Sequence, residues 1–133
     1  MRVVVHVDGG ARGNPGPAAA AAVVSAADGE VLDEASRYLG RASNNVAEYQ
    51  GLLLGLERAK ALGATEVDVV NDSELIAFQV TGRYKVKHPD MKPLFLEAQA
   101  ALRAFEAWSL KPVKRAHNKD ADALVNQCLD AHA

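Results

Sequence analysis

The sequence predicts an α/β domain: a five-stranded mixed sheet, its first three strands antiparallel, flanked by helices. Two observations carry this reading. Apolar runs separated by Gly/Pro and Asp-Gly turn signals come first. A long stretch of helical spacing follows, and strands then alternate with helices. Hairpin-joined strands followed by crossovers give a mixed sheet covered by helices. The 133 residues are enough for a single domain, residues 1–133, with one sizeable core. A composition of 49% hydrophobic and 24% charged residues is that of a globular chain.

Residues 2–8 are β-branched, end at Asp8 and predict the first strand. Gly9 to Pro17, rich in glycine and proline, is expected to be a tight loop with no regular structure. Ala18 to Ser25 is short, lies between turn signals and ends in Val23-Val24, which favours a strand over an Ala-rich helix. Asp28-Gly29 is a hairpin turn, and Glu30 to Leu39 pairs back as the third strand. From Ser43 to Gly63, small or apolar residues recur at 52, 55, 56, 59 and 62, the spacing of a helix. Ser43 and Asn44 are candidate caps and Gly63 a stop. Gly51 and Gly55 inside this helix each cost about 1 kcal/mol relative to Ala, a cost that close approach to a sheet would offset. Glu66 to Asn71 is the fourth strand, and Asp72-Ser73 opens a short helix reaching Gly82. Met91 to Ala107 is a further helix with Leu94, Phe95, Ala98, Leu102 and Phe105 inward. Trp108 to Arg115 is the fifth strand and Asn118 to Ala131 the last helix.

Cys128 is the only cysteine, so no internal disulfide can form. An acid at position 8 comes too early for a signal peptide, and no apolar run approaches the ~20 residues of a membrane span. The expectation is a cytoplasmic protein with no membrane partner. A net charge of −2 argues against holding nucleic acid by bulk charge. Two local basic clusters exist: Arg83, Lys85, Lys87, His88 and Lys92 around Asp90, and Lys111, Lys114, Arg115 and Lys119. Either alone reads as a solvated face.

The acids are more informative. Glu48 lies one turn before Leu52 on the apolar stripe of the long helix, where an unpaired charge is costly. Asp122 stands in the same way at the head of the Val125–Leu129 stripe. Asp8 and Asp72 end strands, where open α/β sheets place ligands, although one such acid alone usually forms a turn or caps a helix. Four acids at the ends of four elements can converge. Their mutual repulsion is removed by divalent cations, and an all-oxygen donor set selects Mg²⁺, with Mn²⁺ as a substitute. Two such ions about 4 Å apart suit in-line phosphoryl displacement.

Four blocks extend this pattern: Asp8 to Pro17, Ser43 to Tyr49, Asn71 to Leu75, and Arg115 to Asp122. In order and spacing they resemble the signature blocks of type 1 ribonuclease H. The resemblance implies a ribonuclease H-like fold and Mg²⁺-dependent, two-ion cleavage of the RNA strand of RNA–DNA hybrids, leaving 5′-phosphate ends. It implies Asp8, Glu48, Asp72 and Asp122 as catalytic metal ligands. Asn14, Asn44 and Asn45 match minor-groove contacts, a role that suits short amides facing a 2′-hydroxyl. Ser43 stands where the family usually has Thr in a DNA-phosphate pocket, with Arg41 and Arg12 within reach of backbone phosphates.

The match loosens in two places. The loop before the last helix is short, and His117 does not align with the family's loop histidine. Arg115, His117 and Asn118 are the auxiliary candidates there, although His117 reads first as a solvated loop residue. His88, His132 and His6 read as bystanders. The segment Gly82 to Asp90 is too short for the family's basic protrusion, so its cations and Tyr84 are left as the candidates for contacting hybrid backbone. This compact form resembles the archaeal-like bacterial branch, whose members sometimes carry a second catalytic domain. The expectation is a monomer, with a covalently linked second domain in a longer protein. The competing readings are a catalytically weak nucleic-acid-binding module on the same fold, and a phosphotransfer domain using the Gly-rich loop. The second is disfavoured because that loop lacks a Gly-Lys-Ser/Thr ending.

Overall fold

The computed structural model describes all residues, Met1–Ala133. Its order is β1 (Arg2–Ala11), β2 (Gly16–Ala26), β3 (Val31–Ala42), α1 (Asn44–Ala61), β4 (Glu66–Asn71), α2 (Glu74–Val80), α3 (Lys92–Arg103), β5 (Ala107–Pro112) and α4 (Lys119–Ala131), with a 3₁₀ turn at Arg115–His117 before α4. One sheet runs β3-β2-β1-β4-β5. β1 pairs antiparallel with β2, and β2 with β3; β4 is parallel to β1 and β5 to β4. No helix is long and apolar enough to cross a membrane.

The predicted loop from Gly9 to Pro17 is mostly strand. β1 continues through Ala11, with Gly9 opposite Ala20 and Gly10 opposite Ala19, and β2 already begins at Gly16. Gly9 is there because the backbone of α1 lies against β1, whereas Gly13, at φ +93°, belongs to the turn itself. A Cβ on Gly9 would overlap the Ala47 carbonyl. The hydrogen bond from Arg12 N–H to Pro17 O, 2.8 Å, closes the short turn that remains. Two other boundaries also shift. The helix expected up to Ala107 ends at Arg103, because Ala107 already pairs with Glu66 in β5. Arg115 lies in the 3₁₀ turn rather than in β5.

β2 is a strand despite its run of five alanines, Ala18 to Ala22, and packing explains it. Both faces are covered: Ala22 and Val24 join the main core under α1, while Ala19 and Ala21 meet Val125 and Leu129 of α4. Small side chains let helices approach from both sides, which outweighs the weak strand propensity of alanine.

α1 is fixed at both ends. The Ser43 hydroxyl accepts the Val46 N–H at 3.2 Å. At the other end, Gly63 has φ +83°, and the N–H groups of Gly63 and Ala64 return to the carbonyls of Lys60 and Ala59 at 2.9 and 3.1 Å, a glycine-terminated helix stop. Between these ends the helix presses on β1 through its glycines. A Cβ on Gly51 would overlap the Asp8 carbonyl, and one on Gly55 would lie 2.7 Å from Val5 Cγ1.

Replacing Gly51 by Ala therefore sets two effects against each other. Helix propensity favours Ala by about 1 kcal/mol. The clash is with backbone, which cannot swing aside, and overpacking of this kind costs about 1–3 kcal/mol or more. The expected net result for Gly51→Ala is a lower urea midpoint, with loss of any activity that depends on the spacing of Asp8 and Glu48. An unchanged midpoint would refute the close approach as a constraint.

Candidate active site

β1 and β4 part at their carboxyl ends: their pairing runs up to His6 and Val70. Strand alternation turns Val3, Val5 and Val7 toward α1, and Asp8 and Gly10 toward α4, where a Cβ on Gly10 would face Val125 at 3.8 Å. Asp8 is thus delivered to the gap between β1 and the start of α2, only 7% exposed. Asp72 follows the last residue of β4, and Glu48 arrives on α1, one turn past its cap. Each of the three offers a carboxylate oxygen, all within 4.8 Å of one another. Asp122 lines the same hollow of about 480 Å³ from α4, together with Asn44, Arg12 and Arg115.

The electrostatics are those of acids without enough cation. Burial, then Asp72, Glu48 and Asp122, push the Asp8 carboxyl up to about 8, opposed only by the Gly9 N–H. Burial first, with Asp72, pushes Glu48 up to about 7, while a hydrogen bond from Ser73 and the charge of Arg115 draw it back. The amino-terminal end of α1 would favour ionised Glu48. It does not prevail, because Glu48 lies beyond the first turn and burial outweighs the helix field. The cation that forms an ion pair in the cluster is Arg115, with Nη2 3.1 Å from Asp122 Oδ1. A buried acid with no cationic partner, facing two others, fits a hard divalent ion.

The remaining predicted residues divide. Asn118 is 1% exposed and stands at the N-cap of α4, but its side chain makes no capping bond; its Nδ2 donates to the Val7 carbonyl at 2.8 Å, and its Oδ1 is buried without a partner. It ties the start of α4 to the strand that carries Asp8. His117 lies outside the acidic hollow and lines a separate one with His6 and Asp120. Arg12 is held by Asp130 at 2.6 Å. His6 stands on a central strand of the sheet, and burial lowers its pKa.

Asn44 is the first residue of α1 rather than its cap, and its Oδ1 accepts the Ala11 N–H at 2.9 Å. Asn14 Oδ1 accepts the Asn44 N–H at 3.1 Å. Asn45 is half-buried beside them. Asn14, Arg41 and Ser43 line a second hollow of about 570 Å³ with His88 and Asp90. Two residues escape a reading from sequence. His88 belongs to this hollow although it looks like a bystander; its place in the basic segment 83–92 was the available signal. Ser73 accepts the Ile76 N–H at 3.2 Å while its hydroxyl serves Glu48, so a helix cap also positions an acid.

Residues 6–128 match the family described as Reverse transcriptase-like. The chain is 52% identical over 134 residues to the bifunctional protein Rv2228c of Mycobacterium tuberculosis, covering 100% of this chain and 37% of that protein. The crystal structure of RNase H1 from the halophilic archaeon Halobacterium salinarum superposes with a TM-score of 0.96 at 40% identity, covering 98% of this chain and 99% of that one. LC11-RNase H1, solved in complex with an RNA/DNA hybrid, superposes with a TM-score of 0.93 at 38% identity, with 98% of each chain covered.

The raised carboxyls have a thermodynamic consequence. Asp8 and Glu48 titrate higher folded than unfolded, so the native state holds extra protons between the two values, and its stability falls as pH rises through the folded ones. His6 acts oppositely, its contribution being lost as pH falls below its unfolded value. The informative window is therefore about pH 6.5 to about pH 9. In EDTA the melting temperature is expected to fall across it, less so in Asp8→Asn, and added Mg²⁺ should raise it most at the alkaline end. A flat profile unaffected by Mg²⁺ would contradict the reading.

Proposed function

The chain belongs to the type 1 ribonuclease H family, and on that footing we propose that it is an endonuclease hydrolysing the RNA strand of RNA–DNA hybrids. The observation that carries this reading is the convergence of Asp8, Glu48 and Asp72 within 4.8 Å of one another, with Asp122 across the same hollow. These four would hold two divalent ions, Mg²⁺ or Mn²⁺. Bound there, such ions supply an activated water and stabilise the leaving 3′-oxygen, giving 5′-phosphate ends.

The chain's own residues do the rest. Asp8, walled by β1 and α4, and Glu48, braced by Ser73, present carboxylates in fixed geometry before substrate arrives. Arg115 neutralises Asp122 and faces the cluster, which limits its negative charge as a polyanion approaches. Asn118 holds α4 on β1 and so fixes Asp122 relative to Asp8. Asn44 lines the acidic hollow and Asn14 the hollow beside it; with Asn45 they are the candidates for contact with the minor groove. Ser43, Arg41 and His88 surround the neighbouring hollow, suited to a phosphate of the uncut DNA strand. His88 fits that task because the Asp90 N–H donates to its Nδ1 at 3.1 Å, which leaves Nε2 as the proton-bearing donor. The segment 83–92 then serves the substrate in place of a longer basic protrusion.

The test uses end-labelled RNA–DNA hybrid, duplex DNA and duplex RNA with Mg²⁺. The expected result is cleavage of the hybrid's RNA strand only, abolished in Asp72→Asn and by EDTA. A wild-type protein that binds hybrid and leaves it intact in both Mg²⁺ and Mn²⁺ would be a binding module instead.

A further inference from the structure

Asp72 and Ser73 lead directly into α2, so the way this helix sits sets where Asp72 points. α2 has only 7 residues, too few for a helix to be stable alone, and its position comes from what it touches. Ile76, Ala77 and Val80 are buried in the main core. Apolar burial is non-directional and does not by itself single out one roll of the helix. A directional contact is made in its last turn. There the Tyr49 hydroxyl, from α1, donates to Gln79 Oε1 at 2.6 Å. Both side chains are inside the protein, Tyr49 at 0% exposure and Gln79 at 3%. A neutral hydrogen bond in such a place adds little net stability over an apolar pair of the same shape, but it demands one geometry. Here it joins the helix that carries Glu48 to the helix that follows Asp72.

Building on the functional reading above, in which the acids hold divalent ions, we propose that Tyr49 and Gln79 are positioning residues of that site. The bond between them sets the roll of α2 against α1, and so the angle at which Asp72 meets Glu48. Tyr49 follows Glu48 in the chain, so the stretch of helix that presents one acid also fixes the element behind another. Affinity for a metal ion depends on such angles, and groups that orient ligands without touching the ion commonly matter tenfold or more. Asp8 stands on β1 and does not depend on this bond.

Tyr49→Phe, Gln79→Met and the double variant separate this role from simple packing. Tyr49→Phe deletes the donor and leaves Gln79 with a buried unpaired acceptor, and Gln79→Met strands the Tyr49 hydroxyl. Each should lower the melting temperature in EDTA. The double variant replaces both partners by apolar groups of similar shape and should recover most of that loss. Mn²⁺ binding is measured on each protein without substrate, by titration calorimetry. Its affinity should fall about tenfold in Tyr49→Phe and stay low in the double variant. In cleavage assays the half-saturating Mg²⁺ should rise by a similar factor, while KM for hybrid at saturating Mg²⁺ keeps its wild-type value. Should Tyr49→Phe fail to fold, the double variant set against wild type gives the same reading.

Wild-type affinity for Mn²⁺ in Tyr49→Phe or in the double variant makes the pair packing only and overturns the inference, while the functional reading stands. A wild-type protein that binds no Mn²⁺ and leaves hybrid intact overturns both.

Discussion

The closeness of α1 to β1 is the constraint on which the rest of the structure depends. Gly9 lies against the Ala47 backbone, Gly51 against the Asp8 carbonyl, and Gly55 against Val5 and Val7. At these three positions a Cβ would overlap what lies opposite. The seam sets the distance between a strand that ends in one acid and a helix that carries another. Gly51 and Gly55 weaken α1 by about 1 kcal/mol each as an isolated helix, a cost offset by burying its face on the 21-residue main core. Local propensity is given up where tertiary contact returns more.

The same closeness makes the acids expensive. Asp8 and Glu48 are raised by burial first and by neighbouring carboxylates second, so most of the cost comes from desolvation. Exposing the acids would relieve it, but would also loosen the geometry held by β1, Ser73 and Asn118. The fold instead keeps the acids in place and lets Arg115 pair with Asp122, the member on the opposite wall. Part of the charge is balanced and the three-acid cluster stays free to take a ligand.

Much of this was legible in the chain because the signals were local. Ser43 as a cap, Gly63 as a stop and the span of β4 follow from residue types and spacing, and the structure places them there. The grouping of Asp8, Glu48 and Asp72 was readable because each breaks a pattern at the end of an element. What failed to read depends on contacts far apart in sequence. Gly9 looks like a turn residue; its reason lies in the Ala47 backbone, which a local pattern does not reveal. Asn44 resembles a cap, yet its side chain is used by Ala11, 33 positions away. His88 and Asn118 draw their meaning from α1 and β1 in the same way.

The first turn of α1 is where the fold and the acids meet. Ser43 starts the helix, Asn44 and Asn14 stitch it to the end of β1 and to the turn that follows, and Glu48 comes one turn later. Any displacement of that turn moves Glu48 and Asn44 together, because they share one helix, and strains the hydrogen bond that the Asn44 N–H donates to Asn14. Two short side chains thus hold the start of α1 to β1 and to the turn after it through their oxygens. A longer Gln could reach the same backbone donors only with an additional rotatable bond, so its free end would be less firmly aimed. Asparagine at these positions therefore fixes the start of the element that carries Glu48 against the end of the strand that carries Asp8.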